Sequence, residues 1–204
     1  MSKARIAVFV SGGGTNLQAL IDAAAAGKLP SGEIALVVSD QEGAFALKRA
    51  ENAGIASALI SKKRYPDRAE RTAALHAVLA EHSIDMIVLA GYLGIVQSET
   101  VALYENRIIN IHPSLIPSFC GMGFYGLHVH EAALARGVKV TGATVHLVTA
   151  GVDEGPILLQ KAVEVQPGDT PEVLQRRVME QAEWILLPRA AEMIAKQIAD
   201  TKEC

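Results

Sequence analysis

Three short segments carry side chains with chemistry to offer. In Asn110-Ile111-His112-Pro113-Ser114 an amide and an imidazole stand two residues apart. Residues two apart in a strand share a face. Asn110 and His112 can therefore project together from the carboxyl end of a strand, where open α/β sheets bind ligands. An amide N–H stabilises an oxyanion, and an imidazole moves a proton near neutral pH. Pro113 ends the strand. The plainer alternative is a buried histidine satisfied by hydrogen bonds. The second segment is Ser11-Gly12-Gly13-Gly14-Thr15-Asn16, between an apolar run and a helical pattern. Its glycines let the backbone turn sharply and approach a ligand, and the helix start that follows offers unpaired N–H groups and partial positive charge, a cradle for phosphate. It lacks the GK[ST] of a P-loop, and Leu17 stands where a dinucleotide fingerprint has its third glycine, so a single phosphate group fits better than a dinucleotide. The alternative is a turn with no ligand. The third segment, TVHLVTAGVDEGP, holds His146 and Asp153. A carboxylate beside an imidazole orients it and favours its charged form, although an Asp in a VDxG turn is also a common turn former. Whether Asp153 reaches His112 depends on the fold.

Other candidates are weaker. His128 and His130 open a helix, where residues two apart diverge, and no cluster has metal-ligand spacing, so a metal site is not expected. Cys120 has no activating motif beside it and reads as a half-buried packing thiol. His76 and His82 fit a solvated helix. Lys62-Lys63-Arg64 with Arg68 could steer an anionic tail or simply be solvated surface. The GxSxG elbow of α/β hydrolases is absent.

The elements that must position these residues alternate. Strands are expected at 6–10, 34–39, 55–60, 85–90 and 107–111, with helices at 17–26, 43–52, 67–81 and 98–104 between them. This alternation predicts a mostly parallel sheet covered on both faces. Residues 113–126 are rich in Pro and Gly and read as a long functional loop. A helix at 128–136 follows, then strands at 138–148 and 158–165 that can pair antiparallel at the sheet edge. Residues 171–196 form a long helical tract, with Thr170 as N-cap, Pro171 at the first position, and Pro188 expected to kink or divide it. No repeat or linker interrupts the chain, which reads as a single domain over 1–204.

Composition agrees. Of 204 residues half are hydrophobic, a fifth charged and only 4% aromatic, which favours helices on an aliphatic sheet. Twenty-two acids against nineteen bases give a net charge of −3, with no basic excess for bulk nucleic-acid binding. Cys120 and Cys204 are no disulfide framework. The apolar run near the start is too short for a signal peptide or a membrane span. A cytoplasmic protein is expected, monomer or homodimer, without nucleic-acid or membrane partners.

Taken together, SGGGTNLQALIDA, IINIHPSLIP and GATVHLVTAGVDEGPILLQ resemble the phosphoribosylglycinamide formyltransferase family, over roughly residues 5–190. The resemblance implies a Rossmann-like domain of about seven strands. It implies formyl transfer from 10-formyltetrahydrofolate, as co-substrate, to the amine of phosphoribosylglycinamide, in purine biosynthesis and without a metal. By motif position, Gly14, Thr15 and Asn16 would hold the phosphoribosyl substrate. Asn110 would bind the formyl oxygen, His112 would be the general acid and Asp153 would raise its pKa; His146 joins this group. Leu93, Gly94, Ile95 and Val96 would line the folate pteridine site, partly through backbone groups, with Asn110 beside them. Arg68 would meet the folate glutamate, and Glu183 the glycinamide. The chain departs from the family pattern in three places. Gly94 stands where an Arg is usual, so side-chain help there is expected to be lost. The loop at 118–126 is longer than in some members. The segment around QAEW carries one extra residue. A formyl-methionyl-tRNA synthase or a formyltetrahydrofolate hydrolase is expected to carry a further domain, and a bare nucleotide-binding module would leave Asn110, His112 and Asp153 without a shared purpose.

Overall fold

A computed structural model describes residues 3–202; Cys204 lies outside them. Seven strands form one sheet: β1 (Ala4–Val10), β2 (Gly32–Ser39), β3 (Ala56–Leu59), β4 (Met86–Leu89), β5 (Ile108–His112), β6 (Val140–Leu147) and β7 (Ile157–Glu164). Their order is β3-β2-β1-β4-β5-β6-β7. Pairing is parallel from β3 to β5 and antiparallel from β5 to β7. The expected fold class is therefore observed, a mostly parallel sheet with an antiparallel edge.

Side-chain alternation along β1 explains why both faces are covered. Ile6, Val8 and Val10 point to one face. There they meet Leu17 and Leu20 of α1 (Thr15–Ala25), Ala46 and Ala50 of α2 (Phe45–Asn52), Leu174 of α6 (Pro171–Val178), and Leu187 and Ile194 of α7 (Trp184–Lys202). Ala7 and Phe9 point to the other face, against Leu79 of α3 (Arg68–Glu81) and Val101 of α4 (Ser98–Leu103). Helix α5 (Leu127–Arg136) follows the long loop and stops at Gly137, which is left-handed at φ 74°. Thr170 caps α6 with Pro171 in its first turn, as the sequence predicts.

Two expectations need correction. The 171–196 tract is divided, but not at Pro188: a π turn, Met179–Glu183, separates α6 from α7, and Pro188 lies inside α7. His76 is half-buried rather than solvated, its Nε2 2.9 Å from Thr100 Oγ1 across the α3–α4 contact. Among the described residues, no helix is long and apolar enough to cross a membrane.

β5 reads I-I-N-I-H, and the sheet uses that alternation directly. Ile109 and Ile111 enter the core shared with α7, while Asn110 and His112 turn to the other face. On β6, Ala143 and Val145 join the same core, while Thr144 and His146 stand opposite His112 and Asn110. Thr144 anchors the loop after His112. Its Oγ1 donates to Ser114 O (2.7 Å) and accepts from Ile116 N (3.1 Å) and Gln160 Nε2 (3.0 Å). Gly142 permits this approach, since a Cβ there would lie 2.1 Å from Lys161 O and 2.9 Å from Leu115 Cδ2. Gly142→Ala should therefore cost about 1–3 kcal/mol, read as a Tm lowered by several degrees. Gly43→Ala, whose Cβ would meet nothing within 4 Å, should change Tm by less than a degree or two.

Candidate active site

The switch from parallel to antiparallel pairing sets the geometry. Asn110 of β5 lies beside Leu89 of β4 and opposite His146 of β6. The loop leaving β4 therefore begins next to the amide, and an imidazole faces it across the ladder. A cavity of about 500 Å³ opens at this end of the sheet. Its wall includes Asn110, His112, His146, Asp153 and the whole 91–96 loop.

His146 Nδ1 is 2.9 Å from Leu147 O, which can only accept, so Nδ1 carries the proton. Its Nε2 then accepts from Asn110 Nδ2 at 3.1 Å. This contact fixes which end of the Asn110 amide meets the histidine and leaves the second N–H of Nδ2 available. His112 Nε2 donates to Phe119 O at 2.9 Å, and its Nδ1 lies 3.5 Å from Asp153 Oδ2. Asp153 Oδ1 is 3.6 Å from His146 Nε2. One carboxylate thus stands between two imidazoles that are 4% and 2% exposed. Gly121 N donates to Asp153 Oδ2 at 2.9 Å, and the Asp153 backbone is left-handed, at φ 58°.

The charges balance as follows. Burial raises the Asp153 carboxyl, but the nearby His146 ring, the Gly121 N–H and the His112 ring outweigh it and leave the group below its ordinary value. Burial lowers His112; the Phe119 carbonyl and Asp153 push it up, His146 pushes it down, and burial prevails. Asp153 does act upward on His112, as the resemblance implies, yet the imidazole ends below its ordinary value because its burial is more costly to the charged form.

The residues expected at the phosphoribosyl site form a second group. Gly14 is left-handed at φ 72°, and a Cβ there would lie 2.6 Å from Ala46 Cβ. No side chain caps α1, so the N–H groups of its first turn remain free for a ligand. Arg49 brings positive charge to this turn, donating from Nε to Gly13 O (2.8 Å) and from Nη1 to Gln18 Oε1 (2.9 Å). Asn16 Nδ2 donates to Glu183 Oε2 at 2.6 Å, while Asn16 Oδ1 is buried without a partner. Burial pushes Glu183 up to about 7, against the pull of the Asn16 bond. Thr15 lines a separate concavity of about 680 Å³ with Arg49, Trp184 and Arg189, so this group does not share the His112 cavity wall. Ser11 joins the two groups: its N–H donates to Gly91 O (3.2 Å) and its Oγ accepts from Leu93 N (2.8 Å).

Arg68 lies away from the cavity wall, exposed, with Nη2 3.4 Å from Glu99 Oε1. Cys120 is half-buried and donates to Pro117 O at 3.3 Å. Sequence reasoning missed Arg49, Tyr92, Phe119 and Gly121. The last two act through backbone groups, which leave no mark on residue type.

His130, in the first turn of α5, is fully buried, and neither ring nitrogen has a partner. Burial, then the charge of His112, drives its pKa down from 6.5 to about 4. The unfolded chain binds this proton near 6.5 and the folded one only near 4, so stability falls as pH drops through that window. The full loss is about 3 kcal/mol. His130→Leu should flatten the acid limb of stability between pH 6.5 and 4 in urea titrations. An unchanged slope would contradict this account.

Residues 4–190 match a family model described as formyl transferase. Over 196 residues the chain is 44% identical to the trifunctional purine biosynthetic protein adenosine-3 of Gallus gallus, covering 95% of this chain and 19% of that protein. It is 39% identical over 176 residues to the chloroplastic phosphoribosylglycinamide formyltransferase of Arabidopsis thaliana, covering 86% of this chain and 60% of that one. The chain thus spans about a fifth and three fifths of the lengths of these two relatives. The crystal structure of glycinamide ribonucleotide transformylase 1 from Symbiobacterium toebii matches with a TM-score of 0.88 and 44% identity, covering 96% of this chain and 89% of that chain. Similarity this extensive, in sequence and in fold, means that the chain belongs to the formyl transferase family, on its phosphoribosylglycinamide formyltransferase branch.

Proposed function

We propose that this chain transfers a formyl group from 10-formyltetrahydrofolate to the primary amine of 5-phosphoribosylglycinamide, a step in purine nucleotide biosynthesis. The observation that carries this reading is the Asp153 carboxylate held between His112 and His146, on the wall of the cavity that Asn110 also lines. Around its mouth Leu93 (62% exposed), Ile95 (63%) and Met122 (76%) offer apolar surface suited to a flat heterocycle. Backbone groups of Leu93, Gly94, Ile95 and Val96 meet its polar edge. The uncapped turn at Gly14, Thr15 and Asn16, with Arg49 beside it, takes the phosphate, and Glu183 faces the glycinamide. Arg68, once released from Glu99, meets the glutamate tail.

The formyl carrier supplies an acyl carbon on nitrogen. The attacking amine forms the new C–N bond while its carbonyl oxygen becomes an oxyanion. Asn110 donates its second Nδ2 hydrogen to that oxygen. His112 is mostly neutral in the free cleft, because its pKa lies below the ordinary value. As charge develops, a water held by Asp153 passes the amine proton to His112. The resulting imidazolium is stabilised by Asp153 and the oxyanion, and then returns the proton to the folate nitrogen as that C–N bond breaks. His146 acts as a positioning residue, since its Nε2 orients Asn110.

His112→Ala and Asp153→Asn should each lower kcat by about 10²–10³, with the far-UV spectrum retained. Turnover within a few-fold of wild type in either variant would refute the reading. The kcat/KM profile should lose activity on the acid side with an apparent pKa below 6.5, because protonated His112 cannot take the amine proton. Gly14→Ala should raise KM for phosphoribosylglycinamide at least tenfold and leave folate binding within a few-fold, measured by steady-state kinetics and calorimetry.

A further inference from the structure

Gly94 occupies a position where the family pattern has an arginine, and the structure gives the glycine a reason. A Cβ at residue 94 would meet the Tyr92 ring at 2.7 Å from Cζ, 2.7 Å from the hydroxyl oxygen and 2.8 Å from Cε1. The phenol end of Tyr92 therefore lies across the space that any side chain at 94 would need. The ring is fixed from behind by Phe9, in an edge-on contact with centroids 5.4 Å apart and planes at 67°. The strand end beneath is fixed too, by the Ser11 bonds to Gly91 and Leu93. Tyr92 and Gly94 both line the cavity, between Leu93 and Ile95 and near Asn110.

The hydroxyl is the polar end of a residue that lines the cavity beside apolar Leu93, Ile95 and Val96. Among the described residues it has no hydrogen-bond partner, and burial, with the charge of Asp40, pushes its pKa up to about 12, against the pull of Arg71. It stays a neutral phenol, able both to donate and to accept. An arginine would instead bring a permanent positive charge to the cleft wall. The exchange therefore replaces a flexible cation by a rigid neutral hydrogen-bonding group.

We propose that Tyr92, seated on Gly94, is a specificity-determining residue of this cleft, its hydroxyl hydrogen-bonding the heterocycle of the formyl carrier. This inference rests on the folate reading of the cavity given above. It reverses the expectation that glycine at 94 merely removes side-chain help: the glycine is what lets the phenol lie there. The contact is neutral, so its contribution should be insensitive to salt, unlike one made by a guanidinium.

Tyr92→Phe keeps the ring, its Phe9 contact and the fit over Gly94, and removes only the hydroxyl. Gly94→Ala keeps the hydroxyl and displaces the ring. Calorimetry with 10-formyltetrahydrofolate or folic acid should show binding about three- to tenfold weaker in Tyr92→Phe, by the same factor at low and high salt. Gly94→Ala should weaken it at least as much, and both variants should melt within a few degrees of wild type. KM for phosphoribosylglycinamide should move less than twofold in Tyr92→Phe. If wild type binds folate and Tyr92→Phe binds it equally well, this contact is overturned and the proposed function stands. If wild type binds no folate at all, the proposed function fails and takes the contact with it.

Discussion

The site depends on one topological constraint, the reversal of strand direction at β5. A strand paired parallel on one side and antiparallel on the other brings together two chain segments that leave the sheet differently. On the β4 side the loop starts where β5 ends, so Gly91 and its neighbours rise beside Asn110. On the β6 side the chain runs back, so His146 and Thr144 lie flat against Asn110 and His112. The same reversal leaves the 148–153 turn at the cleft and returns β7 to the edge, which places Asp153 within reach of both imidazoles.

Burial and charge oppose each other at that centre. The His112 imidazole would be more easily protonated in water, and the carboxylate more easily solvated. The fold offsets the lost hydration of Asp153 with the Gly121 N–H and the nearness of the two rings. It does not fully offset that of His112, whose pKa stays below the ordinary value. A group left in this condition responds strongly to new negative charge nearby, because the Phe119 carbonyl and Asp153 only partly offset its burial. The cleft is thus electrostatically poised, with a neutral base beside an anion.

Much of this was legible in the sequence. Two-residue spacing placed Asn110 and His112 on one face, and the strand–helix alternation specified the sheet and its antiparallel edge. Element ends shifted by a residue or two, as they do where pairing rather than composition decides them. The His112–Asp153 proximity was legible only through the family resemblance, since it depends on a long loop and a left-handed residue. Phe119 and Gly121 contribute through peptide groups, which every residue has. Gly94 looked like a loss because a sequence records a missing side chain and not the neighbour that fills its space. Pro188 looked like a break because a proline lacks the helix N–H. Its helix nevertheless runs on, with Leu186, Leu187, Ala190, Ala191 and Ile194 all buried on one side.

The π turn explains how that helix keeps its face. The tract from Pro171 to Lys202 runs as two α-helices joined by the π turn Met179–Glu183. Added to a regular α-helix, an extra residue would turn everything after it by about 100°, rolling Leu186, Leu187 and Ile194 out of the core. A π turn takes up an extra residue within itself, so the chain after Met179–Glu183 keeps its face. Leu174 and Val178 before it, and Leu187 and Ala191 after it, all remain in the same core. The cost of the wider turn falls on a segment whose last residue, Glu183, is tied to Asn16 of the glycine turn. The core thus decides where the irregularity can go, and the place it leaves is the one that faces the glycine turn.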